Sequence, residues 1–375
     1  MAEDVSSRRL SLFRQFPALR IIETAGIALS PASVLIATLA SLLLSLSGAV
    51  IHRELTHGDE TPSTDVISKP WSFRIEGIPL VGSAANEALL RPWISVAQPV
   101  AGFFNPSVGR NSRWSAAFQF VLGIALWSLA GSILCRRSAM LFVRNDESTV
   151  RQAVDYCVHR WLATVSAPLI PLISTLLLGL VLAAIGLLGR LPGLGFLLVW
   201  IAIPLVTVMG FAMSVLIFAT ALGWPLMVAA VSTDDCDGFG ALSRAYTGLT
   251  GRPWHGLCYL LMATVVGIVL MFGVSQIGLL TIGCTMGGVS LGMGEESAEK
   301  TLHGPLVWIV HEVIRGVGIS FFWSASVVIS LLLRQEVDGV PLDRIADDDD
   351  VRPIRDPLPV VGIPATDATT GESRI

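Results

Sequence analysis

Six long apolar runs divide this chain, each bounded by polar or Gly/Pro-rich punctuation: residues 26–51, 114–135, 167–188, 194–231, 257–284 and 305–333. Each is long enough to cross a hydrocarbon core of ~30 Å at ~1.5 Å per residue. The fourth would be ~57 Å as one helix, so it must tilt, kink or break. Pro204 can kink it, but Gly223, Trp224 and Pro225 predict the break, with residues 226–231 as a short buried or re-entrant continuation.

The polar stretches between the runs have their own periodicity. Residues 1–24 carry Arg8, Arg9, Arg14 and Arg20 with Leu10, Phe13, Phe16 and Leu19 at roughly helical spacing, predicting a basic amphipathic lead-in on an anionic membrane surface. Residues 52–113 form a long loop on the other side. Its second part, residues 86–104, is interrupted by Pro92 and Pro99 and predicts an interfacial helix with Trp93 at headgroup depth. Residues 146–163 place Val150, Val154, Cys157 and Trp161 on one face and Arg151, Asp155 and His159 on the other, as an amphipathic surface helix does. A third such helix is expected over residues 234–250, with Phe239, Leu242, Tyr246 and Leu249 in register, ended by Gly248, Gly251 and Pro253. Beyond Arg334 the acidic tail, with Asp347 to Asp350, has no apolar periodicity and reads as disordered.

Composition agrees with the pattern. Hydrophobic residues make up 53% of the chain and charged residues 14%, and mean hydropathy is +0.68, outside soluble globular usage. The fold class is therefore all-α and polytopic: about six transmembrane helices plus cytoplasmic amphipathic surface helices. No basic domain suggests nucleic acid. The five cysteines lack the paired spacing of a disulfide framework or a metal knuckle.

Two places carry candidate chemistry. The stretch ALGWPLMVAAVSTDDCDGFGALSRAYTGLTGRPWHG, residues 221–256, is a polar island in apolar sequence. There Ser232 or Thr233 predicts a helix cap. Asp234, Asp235 and Asp237 lie where negative charge suits a helix start, and Arg244 and Tyr246 decorate the helix that follows. The aspartates lack the spaced glycine and terminal glutamate of a calcium loop, so capping is preferred to metal binding and no cofactor is implied. The other place is His311, Glu312 and Arg315 inside the sixth run, an intramembrane ionisable cluster whose spacing puts all three on one side of a helix. It reads as a structural ion pair before a functional site, and it is not a zinc motif, because Arg315 stands where H-E-x-x-H needs its second histidine.

Lys and Arg concentrate in the stretches before the odd-numbered runs, which predicts N- and C-termini on the cytoplasmic side of the membrane. Each pair of runs is preceded by an amphipathic stretch, a faint threefold pattern of surface helix plus hairpin. At AVDYCVHRWLATVSAPLIPL, GRLPGLG, GWPLMVAAVS and DCDGFGALSRAYTGLTGRPWHGLCYLL, the chain resembles a family of uncharacterised multi-spanning membrane proteins of planctomycete-type bacteria. The resemblance implies topology and transfers no catalytic residue; Gly240 stands where the similar run usually has an acidic residue. The expectation is a non-enzymatic membrane protein that organises or binds protein partners in the lipid bilayer. The alternative is a transporter or channel built on the Gly223 to Pro225 break and the His311, Glu312 and Arg315 cluster.

Overall fold

The computed structural model describes residues 17–55, 83–104, 109–144, 150–190, 195–342 and 345, and every regular element among them is helical. The N-terminal part of the lead-in, the first half of the long loop, the turn at residues 191–194 and the acidic tail lie outside the described residues. After a 3-10 turn, Pro17–Ile22, come α1 (Glu23–Ala28), α2 (Pro31–Leu55), α3 (Ser83–Phe104), α4 (Arg110–Arg144), α5 (Val150–His159) and α6 (Trp161–Leu188). They are followed by α7 (Gly195–Asp234), α8 (Gly238–Gly251), α9 (Pro253–Met293), the single turn α10 (Glu295–Ala298), a π turn at Glu299–His303 and α11 (Gly304–Asp338). Six of these helical stretches are long and apolar enough to cross a membrane, one for each predicted run.

α11 is the axis of the bundle, which its sequence explains. Gly316, Gly318, Ser320, Ser324 and Ser326 alternate with bulky Phe321, Trp323, Val327 and Ile329, and apart from half-buried Phe322 every residue from Gly316 to Ile329 is buried. Small residues let neighbouring backbones close in, which is how helices pack where lipid and side chains are equally apolar. A Cβ on Gly318 would lie 2.8 Å from the Ala88 backbone carbonyl carbon on α3. One on Gly131 of α4 would lie 2.6 Å from the Trp323 ring. Trp323 is wedged between Trp127 and Trp224, with ring centroids 6.3 Å and 5.6 Å away. Buried hydroxyls tie α11 to its neighbours: Ser320 donates to the Ala28 carbonyl at 2.8 Å, and Ser138 and Ser324 share a hydrogen bond of 2.8 Å.

Contacts along the helices fix their directions. Trp224 meets Trp323 and Asp234 meets Arg334, so α7 and α11 run the same way. Arg252 meets Glu336, a Cβ on Gly267 would meet Phe321 and one on Gly278 would meet Ile314, so α9 runs against α11.

Four expectations about the runs need correction. α7 is one helix of 40 residues through Pro204 and Pro225, with no break at Gly223, Trp224 and Pro225. An internal proline costs about 3 kcal/mol, but every residue from Gly223 to Thr233 is buried, and packing against α4, α8 and α11 offsets that cost. α4 does not close at Arg136 and Arg137; it continues to Arg144, and both arginines are buried. The glycine-rich segment after Cys284 is helical as far as Met293, where Gly294, at φ 86°, ends α9. Residues 86–104 belong to α3, which is continuous through Pro92 and Pro99 and packs on α4 and α11. The expected face of residues 146–163 is also rotated: Ala153, Tyr156 and Cys157 of α5 are buried, while Val150 is exposed.

Burial is uneven. Where α4, α7 and α11 meet, the interior is dense, whereas the hairpin of α6 and α7 leaves it: Leu176, Leu180, Ile201, Val208 and Phe211 are all largely exposed. Helices apolar on every exposed side fit hydrocarbon surroundings.

Candidate functional site

The polar island folds into the most heavily charged part of the described structure. α7 ends at Asp234, and Asp235 turns the chain with a left-handed φ of 51°, a region Asp enters more readily than most residues. Asp237 then caps α8, accepting from the Gly240 amide at 2.8 Å. Gly238 is required next, since a Cβ there would press on the Ala163 carbonyl oxygen at 3.0 Å, where α8 meets α6.

The cap therefore falls on Asp237, and Ser232 and Thr233, the residues expected to cap, have a different role. Ser232 and Thr233 belong to the last turn of α7 and donate back to the Ala229 carbonyl at 2.7 Å and 3.0 Å. Asp234 is not an exposed helix-start charge. Its carboxylate is 6% exposed and accepts from Arg244 of α8 and Arg334 of α11 together. Asp235 pairs with Arg160 at the corner between α5 and α6. Tyr246 turns inward, its hydroxyl 3.4 Å from that of Thr220 on α7.

Neighbouring cations extend the network. Arg136 donates to the Ser232 carbonyl at 3.3 Å, supplying positive charge where the α7 dipole is negative. Arg136 and Arg160 lie 4.0 Å and 4.7 Å from the centre of the buried Tyr156 ring, within cation–π range. Arg252 pairs with Glu336 at 3.1 Å and ties the start of α9 to the end of α11. The ends of α6, α7, α9 and α11 and the helix α8 are thus joined by ion pairs, with α4 added through the Arg136 hydrogen bond and α5 through the Tyr156 ring.

A cavity of about 30 Å³ opens at this end, lined by Leu226, Asp234, Arg244, Ser330 and Arg334 among others. That is room for roughly two water molecules, and it carries two aspartates, Asp234 and Asp338, against two arginines. Neither Gly223 nor Glu312 lines it, so this cavity does not join the two places expected to form a transport site. Among the described residues no group of three His, Cys, Asp or Glu side chains is arranged to hold a metal ion. Beside the network, burial pushes the Cys236 thiol up to about 11, against a smaller opposing pull from Arg244.

The intramembrane cluster splits. Glu312 is buried and pairs with Arg315 one turn on, but its Oε2 has no hydrogen-bond partner. His311 does not join the pair; it is exposed, and its Nδ1 is 3.2 Å from the Val307 carbonyl oxygen. On α5, His159 likewise contacts the backbone oxygen of Asp155 at 2.7 Å, while the Asp155 carboxylate faces Arg151 at 3.9 Å.

Arg136, Arg137 and Arg334 were not singled out as site residues from the sequence. A faint signal exists for the first two, because they sit among the small residues Ser132, Cys135, Ser138 and Ala139, which predict close packing. Nothing near Arg334 in sequence points to Asp234, 100 positions away. Comparison with known protein families, with characterised proteins and with solved structures finds no match for this chain.

Proposed function

We propose that this chain is a non-enzymatic integral membrane protein that organises or binds protein partners, with its charged end as the docking platform. The observation that carries this reading is the set of ion pairs around Asp234, which ties α8 and the corner between α5 and α6 to the ends of α7, α9 and α11. Rigid presentation lowers the ordering cost of association. Apolar side chains stand exposed on that platform: Phe239 is 66% exposed on α8 and Val158 is 52% exposed on α5. Charge counting favours the cytoplasmic side for this end, and the resemblance to proteins of planctomycete-type bacteria suggests a bacterial inner membrane. The test is purification in mild detergent. A stoichiometric protein complex, lost on Phe239→Asp while the thermal unfolding profile is unchanged, supports the reading. A homogeneous chain with no stoichiometric companion contradicts it.

One observation favours a second reading, transport: Glu312 is a buried carboxylate whose Oε2 is unpartnered. Ionisable groups inside a span are costly and commonly serve ion or substrate pathways. On this reading Glu312→Gln abolishes uptake into reconstituted vesicles, whereas the platform reading expects the complex to form normally with Gln at this position.

A further inference from the structure

From the outer face of α9 we infer that the protein self-associates, a second copy of this chain covering Gln276. The argument starts from depth. The fifth apolar run, residues 257–284, has its midpoint at Leu270 and Met271, which puts Gln276 ~8 Å from that midpoint along the helix, well inside a half-thickness of ~15 Å. The antiparallel pairing with α11 agrees, since Gly278 lies against Val310 and Ile314.

At that depth Gln276 is exposed, and it makes no side-chain hydrogen bond among the described residues. Its situation differs from that of exposed hydroxyls along the apolar runs. Thr207, Ser214, Thr264 and Thr281, for instance, each close on the carbonyl four residues earlier at 2.8–2.9 Å. A primary amide carries two donors and an acceptor, and no such arrangement occurs at Gln276. Hydrocarbon offers none of these partners.

The surrounding face suits a close helix neighbour. Val269, Gly273, Gln276, Leu280 and Gly283 lie on one side of α9 at helical spacing, and nothing stands within 4 Å of where a Cβ would be on Gly273 or Gly283. Small residues flanking an amide allow two backbones to approach until side-chain hydrogen bonds form across them. A carboxamide is self-complementary, donating and accepting at once, so two copies related by a twofold axis satisfy each other's Gln276. This selects a second copy as the occupant. The inference takes from the proposed function only that the chain lies in a bilayer, and its interface is on α9, away from Phe239 on α8.

The test is the stoichiometry of the full chain in lipid vesicles, read by single-molecule photobleaching and by a photo-crosslinking residue at Leu280, with Leu176 on the α6–α7 hairpin as control. The expected result is a dimer with chain-to-chain adducts from Leu280 and none from Leu176. Gln276→Leu raises the dissociation constant by about 3- to 30-fold, and Gln276→Asn, which keeps the amide, falls between the two. A monomeric wild type, an unchanged Gln276→Leu equilibrium, or Leu280 adducts to a different protein would each overturn it.

Discussion

At the residue scale, Asp234 concentrates the charge in this structure. Its carboxylate is 6% exposed and neutralises Arg334, whose side chain is 11% exposed. Removing one partner from a buried pair leaves the other charge unpaired by it and typically costs about 3–5 kcal/mol. Asp234→Asn should therefore lower the unfolding temperature in detergent strongly. Asp235→Asn, on a carboxylate 55% exposed, should change it little, since exposed pairs contribute roughly 0–1 kcal/mol. Equal effects of the two substitutions would refute the ranking. Cys236 gives a pH-dependent readout beside the same network. Burial raises its thiol from 9.0 to about 11, so the thiolate fraction at pH 8 is ~100-fold below that of an ordinary thiol. Alkylation of Cys236 should climb between pH 9 and 11. The sign for folding follows: between those values the unfolded chain has released a proton that the folded chain keeps, so stability falls as pH rises through the window.

At the element scale, close approach of backbones is what the bundle depends on. Gly318→Ala would push a methyl into the Ala88 backbone, which cannot turn aside as a flexible side chain can. It should destabilise by about 1–3 kcal/mol and loosen α3 from α11. Gly210→Ala on the hairpin meets nothing within 4 Å and should be neutral or slightly stabilising, because alanine is the better helix former. Hydrogen exchange over residues 83–104 measures the difference directly. These elements also mark what the sequence discloses. Apolar runs longer than a bilayer are visible without partners, so all six spans could be read in advance, whereas the sequence predicts a cap at Ser232 or Thr233 and the structure has it at Asp237. Prolines misled the reading of α3 and α7, because local rules count the lost hydrogen bond and do not count the packing around Pro92, Pro99 and Pro225, all of which are buried. The pairing of Asp234 with Arg334 joins positions that only the assembled bundle brings together. The small residues of α11 are plain in the sequence, but an all-round apolar helix does not reveal whether lipid or protein surrounds it.

At the scale of the whole molecule, two regimes stand side by side. One end is dense and held by charge; the hairpin of α6 and α7 and the far part of α9 expose apolar side chains that suit lipid. The cavity of about 30 Å³ at the dense end holds little beyond water, which supports the proposed platform over a ligand site there. Transport would instead rest on Glu312, whose place on α11 is about one turn inside the exposed Trp308. The most direct test of the platform is site-specific photo-crosslinking of the full chain in its native membrane, with the probe at Phe239 on α8 and at Phe211 on the hairpin. The platform account predicts a discrete protein adduct from Phe239 and only lipid adducts from Phe211. Lipid adducts alone at Phe239 would contradict it.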